Sequence, residues 1–290
     1  MSNKSDLKLQ TNLRRLRARA PLSLCFESFG VRVLIESNNE EALEVCRQLI
    51  REALPNCHSI VPHREAEHRF TLVWNPSGRD SLYKDGNSIA LGIRRKDALA
   101  MLAPRLRLTV AEFAVDHVFI HAGVVAWKGK AVLIPGDSMQ GKTTLVSELI
   151  KRGAVYYSDE YAILDKQGRV HPFAKTLSVR NMAGDTRQIE YSASALGAAT
   201  AAESAEVGMV LISRYQPAAT WQPEVLTPGQ GVVELVRNTI PIRRDPQFAL
   251  SVLKKSVEGA VSIKSVRSEA SEVADWIIDH FETKRSKTSF

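Results

Sequence analysis

Ala131-Val132-Leu133-Ile134-Pro135-Gly136-Asp137-Ser138-Met139-Gln140-Gly141-Lys142-Thr143-Thr144 is the stretch on which the architecture turns. Its first four residues are a short apolar run suited to a buried strand. Gly136 to Thr143 then match G-x-x-x-x-G-K-[ST]. Glycines in that pattern let the backbone curl until successive N–H groups point inward, making an anion nest at the positive end of the next helix. Lys142 would set a point charge at the β and γ phosphates, and the Thr143 hydroxyl would enter a Mg²⁺ shell. The expected cradle is Gly136, Asp137, Ser138, Met139, Gln140, Gly141, Lys142, Thr143 and Thr144. From Thr143 to Arg152, Leu145, Leu149 and Ile150 share a helical face, Lys151 and Arg152 fall in the last turn, and Gly153 follows as a stop. Strand, loop and helix therefore come in the order that phosphate binding requires.

Working outward, 290 residues at 44% hydrophobic composition can fill one large core or two small ones. No apolar run is long enough to span a bilayer, and the basic N-terminus lacks the apolar stretch of a secretory signal. A cytoplasmic protein without a membrane partner is expected. The net charge of +7 is concentrated at the ends: residues 1–20 contribute +5 and residues 284–290 contribute +3, leaving −1 for the remainder. A near-neutral core offers no groove for nucleic acid, so none is expected as a partner. Cys25, Cys46 and Cys57 form no C-x-x-C pair and are expected as free thiols. Cys57, His58, His63 and His68 lack the ligand spacing of a metal site and read as an ordinary polar loop.

Four segments are expected: a basic tail (1–20), a small α+β domain (21–116), a catalytic α/β domain (117–283) and a basic tail (284–290). In the small domain, strands are predicted at Leu22 to Glu27, Val31 to Ile35, Phe70 to Trp74, Ser81 to Lys84 and Ser88 to Leu91. A helix is predicted from about Asn39 to Ala53. A long helix, roughly Arg95 to Asp116, leads into the second domain. There, helices open at Thr227-Pro228 and Asp245-Pro246, and a last one runs around Glu269 to Phe281. Ser192 to Glu206, rich in Ala and Ser, reads as a mobile lid, an acceptor-binding loop or a marginal helix.

Val118 to Trp127 and Lys130 to Ile134 read as a hairpin across Lys128-Gly129. That register carries His121 opposite Gly136, beside the first residue of the loop. Ala154 to Tyr157 reads as a strand that delivers Asp159 and Glu160 to the edge of a parallel sheet, where ligands bind. One carboxylate could take the proton of an incoming hydroxyl while the other helps to hold Mg²⁺. Lys175 and Arg180 are further candidates for gripping phosphate or acceptor.

His121 fifteen positions before Gly136, the loop itself, and Asp159 sixteen positions after Thr143 together resemble the catalytic half of HPr kinase/phosphorylase and its relatives, over roughly Phe119 to Asp165. The resemblance implies a phosphate-loop kinase core of the HPr kinase type preceded by a smaller α+β domain. It implies ATP and Mg²⁺ as cofactors, Asp159 as base on an acceptor serine, and His121 near the transferred phosphate. Lys142 completes the catalytic set, with Thr143 and Glu160 on the metal. Glu160 stands where the family more often has Asp, and the glycine-rich signature of true HPr kinases is absent. The chain looks more like the relatives associated with modified peptides, some of which phosphorylate serine on a small precursor peptide. A protein or peptide carrying serine is the expected partner. A small-molecule alcohol acceptor, a non-catalytic ATP-binding sensor and assembly into a homo-oligomer stay open.

Overall fold

The computed structural model describes residues 22–62, 66–137, 140–179 and 189–286. Ser138, Met139, His63 and Arg180 lie outside the described residues, as do residues 1–21 and 287–290, while Lys284 and Arg285 of the expected C-terminal tail continue the last helix. The chain divides between Val115 and Asp116 into two compact units.

The first unit is a six-stranded mixed sheet with two helices. Strands β1 (Leu22–Ser28) and β2 (Val31–Ser37) form a hairpin, and helix α1 (Glu40–Ala53) crosses over to a parallel partner of β2. Asn39 starts α1 by accepting the Ala42 N–H, and Ala42, Leu43, Cys46 and Ile50 are buried at helical spacing. The sheet is completed by β3 (Ser59–Ile60), β4 (His68–Val73), β5 (Arg79–Lys84) and β6 (Asn87–Arg94), in the order β3-β1-β2-β4-β5-β6. Helix α2 (Arg95–Phe113) stops three residues earlier than its pattern predicts. Cys25, Cys46 and Cys57 form no disulfide with one another, and burial pushes the Cys46 thiol up to about 12 and that of Cys57 up to about 11. His58 Nδ1 lies 2.8 Å from the Leu54 carbonyl, whereas the His68 ring packs on Phe113.

The second unit has three layers. Its hairpin is β7 (His117–Trp127) and β8 (Lys130–Pro135), closed by Lys128 and Gly129, both with positive φ. Trp127 pairs with Lys130 and Ala122 with Pro135, the register expected from two turn residues. Helix α3 (Lys142–Lys151) follows the loop. Next come β9 (Val155–Ser158), β10 (Tyr161–Asp165), β11 (Val170–His171), and the small pair β12 (Leu177–Val179) and β13 (Ile189–Tyr191). Strand β14 (Glu206–Tyr215) is parallel to β8. After β15 (Glu224–Leu226) come α4 (Pro228–Val236), α5 (Pro246–Val257), β16 (Val261–Arg267) and α6 (Ala270–Ser286). The main sheet runs β11-β10-β7-β8-β14-β16-β15, with β9 also on β7.

This sheet is mixed rather than parallel. Strand β7 runs antiparallel to β8 on one side and to β9 and β10 on the other, so β8, β9 and β10 point the same way, each paired through β7. Alternating residues fill both faces. Val132 and Ile134 pack against Leu145, Leu149 and Ile150 of α3 and Val273 and Ile277 of α6; Ala131 and Leu133 pack towards Leu235, Val252 and Leu253 of α4 and α5. Burial on both faces is why β8 reads as a continuous apolar run.

Ser192 to Glu206 is an anchored segment and contains one short 3₁₀ turn, Ser194–Leu196. Tyr156 exchanges backbone hydrogen bonds with Ala199 and Ala201, and Val170 does so with Ala205. Small side chains let this backbone lie against β9 and β11 as irregular edge pairing.

Candidate active site

The hairpin, the loop and the acids meet at one edge of the main sheet. Beyond the last β8 pair, the Gly136 N–H donates to the His121 carbonyl at 3.3 Å. On the opposite side of β7, Tyr161 faces His121 and Ser158 faces Val124. Strands β9 and β10 are thus two halves of one partner strand, and Asp159 and Glu160 occupy the bend between them. The Ala122 N–H still donates to the Glu160 carbonyl at 3.1 Å. Ser158 shapes the bend locally, its Oγ accepting the N–H groups of Glu160 at 3.1 Å and Tyr161 at 3.0 Å.

His121, Gly123 and Val125 project to the α3 side of β7, because the residues between them enter the opposite core. Gly123 leaves room for the helix: a Cβ there would meet Val146 Cγ2 at 2.7 Å and Lys142 Cβ at 3.9 Å. His121 therefore shares the face on which Lys142 lies. Helix α3 begins at Gly141, whose φ of 80° favours glycine. Gly141 has no side chain with which to cap this end, and the first N–H groups of a helix have no partner within it, so a ligand can take them.

Lys142 is buried, and its Nζ donates to the carbonyls of Gly136 and Asp137, each at 2.7 Å. Burial brings the ammonium down to about 8 against the pull of Asp137, Asp159 and Glu160. Burial also lowers the His121 imidazole from its ordinary value, and the charge of Lys142 acts in the same direction, while Glu160 and Asp137 oppose both. Asp159 is buried, with the Tyr156 hydroxyl 3.3 Å from its Oδ1. That hydroxyl also donates to the Lys175 carbonyl at 2.8 Å, and burial followed by the charge of Asp159 raises its pKa. Lys175 Nζ is 3.7 Å from Glu160 Oε2, which places this lysine at the acids.

Of the other residues expected in the cradle, Asp137 and Thr144 are exposed, Thr143 is half-buried, and Gln140 Nε2 lies 3.4 Å from Asp137 Oδ2. The pattern reading passed over Tyr156 and Arg267. Arg267 ends β16 and donates from Nη2 to the Gly141 carbonyl at 2.7 Å. Tyr156 could have been noticed beside the acids, whereas an arginine closing a distant strand carries no local signal.

Among the described residues, no group of three or more His, Cys, Asp or Glu side chains could hold a metal ion by itself. The carboxylates of Asp159 and Glu160, and the hydroxyl of Thr143 next to Lys142 in the chain, are hard oxygens of the kind Mg²⁺ accepts alongside substrate phosphates. No helix among the described residues is long and apolar enough to cross a membrane.

No family model matches this chain, and no curated protein matches it. Among solved structures, the chain is similar to the Hpr(Ser) kinase/phosphatase from Coxiella burnetii, with 15% identity and a TM-score of 0.34. The match covers 59% of this chain and 99% of that one.

Proposed function

We propose that this chain is an ATP- and Mg²⁺-dependent kinase that transfers the γ-phosphoryl group to a hydroxyl, foremost serine of a protein or peptide. One observation carries the reading: a buried lysine at an uncapped helix N-terminus is close enough to Asp137, Asp159, Glu160 and His121 for their charges to act on one another. A lysine held only to stabilise the fold would not need burial among three acids at the start of a helix.

In this reading, the backbone from Gly136 to Thr144 cradles the β and γ phosphates, and Lys142 leaves the Gly136 and Asp137 carbonyls to pair with phosphate oxygens. The Thr143 hydroxyl and Glu160 would hold Mg²⁺, which when bound neutralises charge on the β and γ oxygens. Asp159 orients the acceptor hydroxyl and takes its proton as the hydroxyl oxygen bonds to the γ-phosphorus. The bond from that phosphorus to the β–γ bridging oxygen breaks, and ADP leaves with the electron pair. Neutral His121 donates to, or accepts from, the γ-phosphoryl environment without adding a second cation beside Lys142. Lys175 steadies Glu160 and flanks the acceptor side. Positioning and electrostatic stabilisation supply most of the rate in such a site.

The test is incubation of the full chain with γ-labelled ATP, Mg²⁺ and serine-containing peptides, followed by mass spectrometry. Phosphoserine on a peptide supports the reading. Phosphorylation confined to a small alcohol moves the acceptor to a metabolite, and absence of both transfer and ATP binding ends the kinase reading.

A further inference from the structure

Arg267 is 2% exposed, among the largest fully buried side chains described in the molecule. It pairs across the sheet with Tyr215 at the end of β14, on the edge that carries the loop. Its Nη2 donates to the Gly141 carbonyl at 2.7 Å and its Nη1 to the Ser268 carbonyl at 3.3 Å, while Nε is buried without a hydrogen-bond partner. Glu269 acts on the guanidinium through space, but no ion pair joins Arg267 to a carboxylate among the described residues. A buried cation whose hydrogen bonds go to carbonyls is costly, and a neutral donor could hold one carbonyl at lower cost.

The contact is fitted to the loop. Gly141 has φ of 80°, and a Cβ on it would stand 2.5 Å from Arg267 Nη2. Its carbonyl accepts twice, from Arg267 and from the Leu145 N–H at 3.1 Å that opens α3. A carbonyl drawn away from the loop interior leaves the following N–H groups, those of Lys142 and Thr143, directed inward.

We infer that Arg267 is a positioning residue for polyphosphate: it clamps Gly141 so that the N–H groups of Lys142 and Thr143 converge on a ligand, and its positive charge strengthens the attraction for a triphosphate. This inference rests on the nucleotide reading of the site and names the residue that preorganises it. The acids lie on the β7 side of the loop and Arg267 on the β14–β16 side, so a bound polyphosphate is held between opposite walls.

The experiment compares wild type, Arg267→Met and Arg267→Lys as full chains, by calorimetric titration with inorganic tripolyphosphate and with ATP, alongside melting temperatures without ligand. Arg267→Met should stay folded, since it removes a desolvated charge, and should bind both probes about tenfold or more weakly, the scale of one charged hydrogen bond. Arg267→Lys keeps the charge but loses the fork, so it should recover part of the affinity. KM for ATP should rise with KM for the acceptor unchanged. A folded Met variant with wild-type tripolyphosphate affinity overturns the role of Arg267 alone. Should that variant fail to fold, the Lys variant decides: full affinity overturns the inference and reduced affinity in folded protein supports it. Wild type that binds neither probe overturns the nucleotide reading and this inference together.

Discussion

The backbone of His121 is tied to the backbone of Gly136: one carbonyl accepts one N–H at 3.3 Å where the β7–β8 hairpin opens into the loop. This bond extends the ladder by one pair and ties the backbone that carries the imidazole to the start of the glycine-bracketed loop. Burial and Lys142 both disfavour a charged imidazole. The folded value therefore lies below the unfolded value near 6.5, and as pH falls through 6.5 the unfolded chain takes the proton first. Stability should decline on acidification through that range, and transfer should fall with it. His121→Asn should remove this contribution to the acid limb and lower kcat by about a hundredfold, the lower range for a positioned acid–base group. Urea unfolding and pH–rate profiles measure the two effects.

Lys142 titrates in the opposite part of the scale. Its folded value of about 8 lies below the ordinary 10.5, so between those values the unfolded chain holds a proton that the folded chain lacks. Stability without ligand should rise as pH increases through this window. A triphosphate favours the ammonium form, so ATP binding in the same window should take up a proton. Titration calorimetry in buffers of different ionisation enthalpy reads this directly. Lys142→Met should abolish the uptake and weaken ATP binding about 10- to 100-fold.

Asp159→Asn keeps the size of the side chain and its contact with Tyr156 but removes the base. Transfer should drop by about 10²- to 10⁴-fold while ATP affinity changes little. Equal losses in both would mean that the carboxylate serves binding rather than proton transfer. A nucleotide sensor would instead keep its output in this variant.

Gly123→Ala tests the packing beneath the site. The added methyl would stand 2.7 Å from Val146 Cγ2, so β7 and α3 must separate. The expected cost is about 1–3 kcal/mol of stability, as for other overpacked cores. An unchanged urea midpoint would show that the helix yields freely.

The strand, loop and helix around Gly136 were legible because each follows from local rules. A four-residue apolar run, a glycine-bracketed turn and a helical stripe all act over a few residues. The position of His121 was legible for the same reason: a two-residue turn sets its own register. Asp159 and Glu160 could be located at a strand end, but their strands pair antiparallel with β7 and not in the expected parallel sheet. The apolar residues of β9 look the same whether their neighbour runs parallel or antiparallel, and β7 enters between β8 and β9 through pairing that no local pattern encodes.

Arg267 shows the limit most clearly. It meets Gly141 across 126 positions, and nothing beside it in the chain marks it as different from a solvated arginine. Ser192 to Glu206 likewise gained its edge pairing from backbone partners on β9 and β11, not from any periodicity of its own. Short-range chemistry was enough to specify which residues could form a phosphate cradle and which side of a strand they would occupy. Choosing the walls around that cradle required the complete chain, because strand order and buried charge depend on long-range packing whose energy appears once distant segments have come together.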